Sequence, residues 1–174
     1  MASGLFPRGG AQLADFFVAN ATRDLSKAIA ANDAWATMRV PQKIRFAVDL
    51  RLQYLRPYLH QWPDALALMA QPTNAPHSLK NLAQLCDEIW FLAGDRSTDM
   101  NWYSKRVLLA GVYTSTELFM TQDKSPDFVE TGRFLDRRLQ DVALIGYTTN
   151  EVSKAVDFGV KSALGVLASR GFIR

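Results

Sequence analysis

Gly94–Met120 reads GDRSTDMNWYSKRVLLAGVYTSTELFM, and its two halves differ in character. On a helix of 3.6 residues per turn, Val107–Met120 is apolar on almost every side, interrupted only by Thr114, Ser115, Thr116 and Glu117. That pattern predicts a central helix buried all round, and an all-α domain built about it. The first half sets Asp95, Arg96, Asp99, Lys105 and Arg106 around the adjacent aromatics Trp102 and Tyr103, where the helix starts. Thr98 or Asp99 is the expected cap, and the helix is expected to end around Gln122.

Upstream, Leu13, Phe16, Phe17, Asn20, Ala21, Asp24, Leu25, Ala28 and Ile29 recur at helical spacing from Ala11 to about Ala31. Pro41, in a first-turn position, starts a second helix to about Arg56 with Ile44, Val48, Leu52 and Leu55 inward. A short amphipathic segment runs from Trp62 to Ala70, and QPTNAPH reads as an irregular loop. Ser78 is then the expected N-cap of a helix with Leu79, Leu82, Leu85, Cys86, Ile89, Trp90 and Leu92 or Ala93 facing inward, closed by Gly94.

Downstream, DKSPD is a helix start: Ser125 at the cap, Pro126 in the first position, and Asp127 and Glu130 favourable to the helix dipole. That helix is expected to run to about Ile145, with a loop at Gly146, Tyr147 and the two following threonines. A last helix, from about Asn150 to Arg170, carries Val152, Val156, Val160, Leu164 and Leu167 on one side and Lys154 and Lys161 on the other. No strand alternation, internal repeat or low-complexity tract is present.

A chain of 174 residues, 48% apolar with mean hydropathy −0.07, is the size of one domain with one core. Its net charge of +3 comes from scattered cations, which does not indicate strong nucleic-acid binding. The lone Cys86 rules out an internal disulfide, and its place on an apolar helix face reads as a buried thiol. No apolar run approaches the roughly 20 residues that a spanning helix needs. The N-terminus shows neither a secretion signal nor an Arg-rich presequence.

Enzyme chemistry is the weakest hypothesis. His60 and His77 are the only histidines, neither lies in a Glu-x-x-His or His-x-x-x-His pair, and no nucleophile, phosphate-binding or dinucleotide-binding motif occurs, so neither a metal nor a catalytic residue is expected. Asp95 and Asp99, four apart, read either as helix caps or as a carboxylate pair. Trp102 and Tyr103 lie about 100° apart on a helix, so they are either both covered or set out for a partner. Lys105 and Arg106, placed in a first helical turn, oppose the dipole, a cost that an acidic partner surface could offset. The last helix either packs on protein or lies in a membrane interface. Its Gly159 and Gly165, each costing about 1 kcal/mol relative to Ala, imply marginal stability or close packing.

LAGDRSTDMNWYSKR, LLAGVYTSTELFM and QDKSPDFVETGRFLDRRLQD closely resemble the accessory lipid-binding family of ubiquinone (coenzyme Q) biosynthesis, Coq-nine. The similarity extends through WPDALALM and SGLFPRGGAQLADFF, over most of residues 3–141. The resemblance implies a TetR-like helical bundle that forms homodimers. It implies a non-catalytic mitochondrial protein on the matrix face of the inner membrane. Such a protein needs no cofactor beyond a bound lipid or isoprenoid quinone, and it presents quinone intermediates to the di-iron demethoxyubiquinone hydroxylase.

Carried onto this chain, residues 1–145 form the lipid-binding and partner-docking domain, and residues 146–174 a loop and an amphipathic membrane-binding helix. Docking is assigned to Asp95, Asp99, Asn101, Trp102, Tyr103, Lys105 and Arg106. Lipid binding is assigned to Leu82, Ile89 and Trp90 with Leu109, Val112, Tyr113, Phe119, Phe134 and Leu139, and membrane binding to Val152, Val156, Val160, Leu164 and Leu167. The chain starts where the family's N-terminal helix-turn-helix-like unit ends, so most of that unit and the targeting peptide are expected to be missing, and DNA binding with them. The alternative is the ligand-binding domain of a TetR-type transcriptional regulator.

Overall fold

A computed structural model describes residues 8–96 and 100–148, with side chains over 8–96 and 102–143. Among these residues lie six α-helices: α1 (Gly10–Ala30), α2 (Val40–Gln53), α3 (Trp62–Met69), α4 (Ala75–Ala93), α5 (Met100–Met120) and α6 (Val129–Thr148). Short 3-10 turns occupy Asp33–Thr37, Arg56–Tyr58 and Pro126–Phe128, and no strand occurs among the described residues, as the all-α expectation requires. The chain divides into two units, one ending at Ala93 and the other beginning at Gly94.

In the first unit α1 packs on α2, α3 and α4, and α2 packs on α4. The buried seam of α1 is Ala11, Ala14, Asp15, Ala21, Leu25 and Ile29. Leu13 and Phe16, expected on the inner stripe, are instead 54% and 56% exposed. At 100° per residue they lie on the far side of the helix from the alanine seam, where small side chains admit a close neighbour. Three alanines outweigh two large apolar residues here because burial follows what can approach, not side-chain size. The inner face of α2 is as expected, with Ile44, Val48 and Leu52 buried, but the helix ends at Gln53, short of the expected Arg56, and Leu55 is buried just beyond it, before the 3-10 turn that contains Pro57. Phe17 meets Tyr58 and Trp62 edge-on, with ring centroids 5.1 and 5.5 Å apart, which ties α1 to the turn before α3 and to α3 itself.

The start of α4 differs from expectation. The Asn74 carbonyl accepts the Ser78 N–H at 3.2 Å, so the helix begins at Ala75 and the last residues of the expected loop are helical. Pro76 is no obstacle, because the first-turn N–H groups have no intrahelical acceptor to lose. Ser78 therefore lies inside the helix, where its hydroxyl donates to the Met69 carbonyl at 3.1 Å. Leu79, expected inward, is 64% exposed. It shares a helical azimuth with buried Cys86 but sits two turns nearer the start, beside an α3 only eight residues long. Leu85, Cys86, Ile89 and Ala93 form the buried face as expected, and Gly94 ends the helix at φ +101°, a conformation that strains other residues.

In the second unit α5 and α6 pack on one another. Leu108, Leu109, Val112, Tyr113, Ser115, Thr116, Glu117 and Met120 of α5 are buried, so the helix is covered nearly all round. Its hydroxyls are satisfied within the helix: Ser115 Oγ donates to the Gly111 carbonyl at 2.7 Å, and Thr116 Oγ1 to the Val112 carbonyl at 2.7 Å. Such back-bonding lets polar residues occupy apolar surroundings without unmet hydrogen bonds. Ser125 precedes the turn into α6, and its Oγ accepts the Glu130 N–H at 3.1 Å.

Asp123 adds a cap that sequence reading missed, accepting from Ser125 N and Thr131 N, both at 2.8 Å, and from Thr131 Oγ1 at 2.6 Å. Burial alone raises the Asp123 carboxyl, but these hydrogen bonds together outweigh it and hold the group below its ordinary value. α6 continues through Thr148, past the loop expected at Gly146 and Tyr147. One glycine costs a helix about 1 kcal/mol, which slows but does not stop it when no proline follows. The expected helix from Asn150 to Arg170, and the caps at Thr98 and Asp99, lie outside the described residues.

Candidate functional site

Since α5 begins at Met100, Lys105 and Arg106 stand in its second turn, not its first, and their charge is met from within the chain. Asp95 Oδ1 accepts from Lys105 Nζ at 2.7 Å, and Oδ2 from Arg106 Nη1 at 3.2 Å. The Asp95 side chain is 7% exposed and that of Arg106 10%, so this pairing is shielded from water. Asp95 thus serves as a counter-ion to both cations. Arg106 Nη1 also donates to the Trp102 carbonyl at 3.1 Å, and its guanidinium carbon lies 3.9 Å from the centroid of the Trp102 ring. A cation this close to an indole face contributes about 0.5–2 kcal/mol, more as water is excluded.

Trp102 is half-buried against Arg106, and Tyr103, one helical step round, is 58% exposed. Their rings meet edge-to-face with centroids 4.7 Å apart at 78°. Asp95, Arg106, Trp102 and Tyr103 therefore form a continuous chain of contacts from a buried carboxylate to an exposed phenol. Of the other docking candidates, Asp99 and the Asn101 side chain lie outside the described residues.

The lipid-binding candidates are divided between the units. Leu82 and Trp90, half-buried, and Ile89, fully buried, belong to α4 in the first. In the second, Leu109, Val112 and Tyr113 are buried on α5, and Leu139 is half-buried on α6. Phe119 and Phe134 stack across the α5–α6 contact with centroids 4.5 Å apart and planes 11° from parallel. Tyr113 donates its hydroxyl to Glu117 Oε1 at 3.1 Å, a polar point in an otherwise apolar stretch. The membrane-binding candidates Val152, Val156, Val160, Leu164 and Leu167 lie outside the described residues.

Sequence reading missed a polar region between α1 and α4. Asp15 accepts from Arg8 Nη2 at 2.8 Å and from Asn81 Nδ2 at 3.0 Å, crossing the helix pair with a carboxylate on the alanine seam. A charged residue recurring with that seam was the available signal. Two clefts flank it, of about 300 and 340 Å³, the first lined by Arg8, Gln12, His77 and Lys80 among others and the second by Thr22, Arg23, Asp87 and Glu88. None of the nine lipid-binding candidates lines either cleft. Among the described residues no three His, Cys, Asp or Glu side chains gather as a metal site would require, and no helix is long and apolar enough to cross a membrane.

The COQ9 family model matches residues 75–146, which run from the first residue of α4 nearly to the end of α6 and contain the whole aromatic cluster. The chain is 36% identical over 170 residues to the ubiquinone biosynthesis protein COQ9, mitochondrial, of Homo sapiens, covering 94% of this chain and 54% of that protein. The Xenopus tropicalis protein of the same name matches at the same identity and coverage. The Rattus norvegicus protein is 45% identical over 127 residues, 73% of this chain and 41% of its own length. The chain thus spans about half the length of the curated relatives it matches. With similarity sustained across both units and through the aromatic cluster, the chain belongs to the COQ9 family.

Proposed function

We propose that this chain acts in ubiquinone biosynthesis, in mitochondria, as a non-enzymatic lipid-binding accessory protein. It presents isoprenoid quinone intermediates to the di-iron demethoxyubiquinone hydroxylase. The relatives' shared name supports the pathway and the compartment. The observation that carries the docking half is the exposed Tyr103 beside half-buried Trp102, two aromatics that the fold leaves at the surface within the stretch matched by the family. Buried interfaces draw their energy from few residues, with Trp, Tyr and Arg over-represented among them.

The lipid half rests on the apolar make-up of the α5–α6 hairpin, in which Leu109 and Val112 are buried and Phe119, Phe134 and Leu139 half-buried. An isoprenoid tail brings about 0.8 kcal/mol per buried CH2, so it leaves a bilayer only for comparable apolar surface. In the same reading two copies form a homodimer, and residues 150–174 attach it to the matrix face of the inner membrane. A phospholipid can occupy the lipid site when no quinone is present.

Affinity of the hydroxylase for Trp102→Ala and Tyr103→Ala, measured calorimetrically, tests the docking half. Each change is expected to cost more than about 1 kcal/mol, roughly fivefold or greater. Unchanged affinity in well-folded variants removes it. Solvent extraction and mass spectrometry of the purified protein test the lipid half, and a protein repeatedly free of isoprenoid and phospholipid removes that.

A further inference from the structure

We infer that Asp95 is a positioning residue that presets the Trp102–Tyr103 surface, and that the partner receives this surface in an apolar socket, not on an acidic patch. The inference rests on the docking reading above. Its basis is the direction in which the charges face. Three cations, Arg96, Lys105 and Arg106, surround the aromatic pair, and taken as a list they suggest a basic docking patch.

The geometry turns two of them inward. Asp95 engages Lys105 at 2.7 Å and Arg106 at 3.2 Å, and the three side chains are 7%, 28% and 10% exposed in the order Asp95, Lys105, Arg106. Arg106 is committed three times over: to the Asp95 carboxylate, to the Trp102 carbonyl at 3.1 Å and to the Trp102 ring at 3.9 Å. It acts as a brace under the indole. Arg96 is exposed, but its Nη1 donates to the Asp95 carbonyl at 3.0 Å, so it stands at the edge of the cluster. What projects at the centre is the Tyr103 ring, 58% exposed and held at its flank by Trp102.

Preorganisation of this kind raises affinity by sparing the cost of ordering side chains on binding. A carboxylate two contacts behind the aromatic pair therefore controls docking without touching the partner. The sign of one substitution separates this from a charge-driven interface. Asp95→Asn makes the surface more positive by one charge, so an acidic partner would bind the variant more tightly and with steeper salt dependence. An apolar socket that needs the preset aromatics would bind it more weakly.

The experiment titrates the intact hydroxylase against the full chain by calorimetry, at low and high salt. It uses wild type, Asp95→Asn, Asp95→Glu, Trp102→Ala and Tyr103→Ala, with circular dichroism as a check on folding. The expected result is about tenfold weaker binding for Asp95→Asn, recovery to within about threefold for Asp95→Glu, and a wild-type affinity that falls less than about threefold between roughly 0.05 and 0.5 M salt. Equal or tighter binding by Asp95→Asn overturns the inference. So does a wild-type loss greater than about tenfold across the same salt range, which is decided even if Asp95→Asn does not fold. If Trp102→Ala and Tyr103→Ala bind normally, the docking reading itself falls and the inference with it. If they bind weakly while Asp95→Asn does not, the docking reading survives and the inference alone is lost.

Discussion

The Arg106 guanidinium carbon lies 3.9 Å from the centroid of the Trp102 ring while its Nη1 holds Asp95 at 3.2 Å, so one buried cation joins an aromatic surface to a carboxylate on the preceding loop. Removing it with Arg106→Ala leaves Asp95 paired with Lys105, which spares part of the penalty for an isolated buried charge. The expected loss is about 2–3 kcal/mol in urea unfolding, from the lost ion pair and the lost cation–ring contact together. Arg106→Lys should recover less than half of it, because an ammonium cannot cover the indole and hold the carboxylate at once. Full recovery by lysine would refute the bracing role.

The Asp123 cap makes a pH-dependent prediction. Its carboxyl is held below the ordinary value in the folded chain, so its stabilisation is complete above the unfolded carboxylate pKa and is lost as pH falls through the lower folded one. Asp123→Ala should cost about 1 kcal/mol at neutral pH, the usual worth of a helix cap. In a series of urea titrations, wild type and variant should converge as the pH drops below about 4. A difference that persists unchanged into strong acid would show that the ionised carboxylate is not the source.

Phe119 and Phe134 stack at 4.5 Å across the α5–α6 contact, with the Arg138 guanidinium carbon 5.3 Å from the Phe134 centroid. Phe134→Leu keeps most of the apolar area but removes the stack, and should cost about 1–2 kcal/mol by thermal unfolding. Phe134→Ala should cost about 3 kcal/mol or more. A cost near zero for Phe134→Leu would mean that the ring contact adds nothing beyond area.

Ile89 and Leu79 stand on the same helix and differ only in what covers them, 0% against 64% exposure. Ile89→Ala should therefore destabilise by about 2–5 kcal/mol, whereas Leu79→Ser should stay within about 0.5 kcal/mol. Chemical denaturation of both variants checks this directly, and a large loss at Leu79 would contradict its exposure.

Much of the fold can be read from residue order alone. Val107–Met120 is apolar on nearly every azimuth, which leaves an all-round buried helix as the stable outcome, and Ile44, Val48, Leu52 and Leu55 recur with the helical period and are buried. Ser125 and Pro126 announce a helix by local chemistry, although a 3-10 turn with left-handed backbone at Asp127 and Phe128 delays the start of α6 to Val129. Trp102 and Tyr103 stand out as large aromatics among charges, so the candidate surface too is visible before any coordinates. These features depend on neighbours within one or two turns, which is why pattern suffices.

Tertiary structure decided the rest. Leu13 and Phe16 have the composition of a core and lie outside it, because the alanines on the opposite side of α1 admit closer neighbours. Asp15 is buried because Arg8 and Asn81 reach it, the latter from 66 residues away. The sequence by itself determined where helices form and which residues are conspicuous. Whether Lys105 and Arg106 face a partner or face Asp95 was a matter of direction, set by a side chain ten and eleven residues upstream that no helical period connects to them.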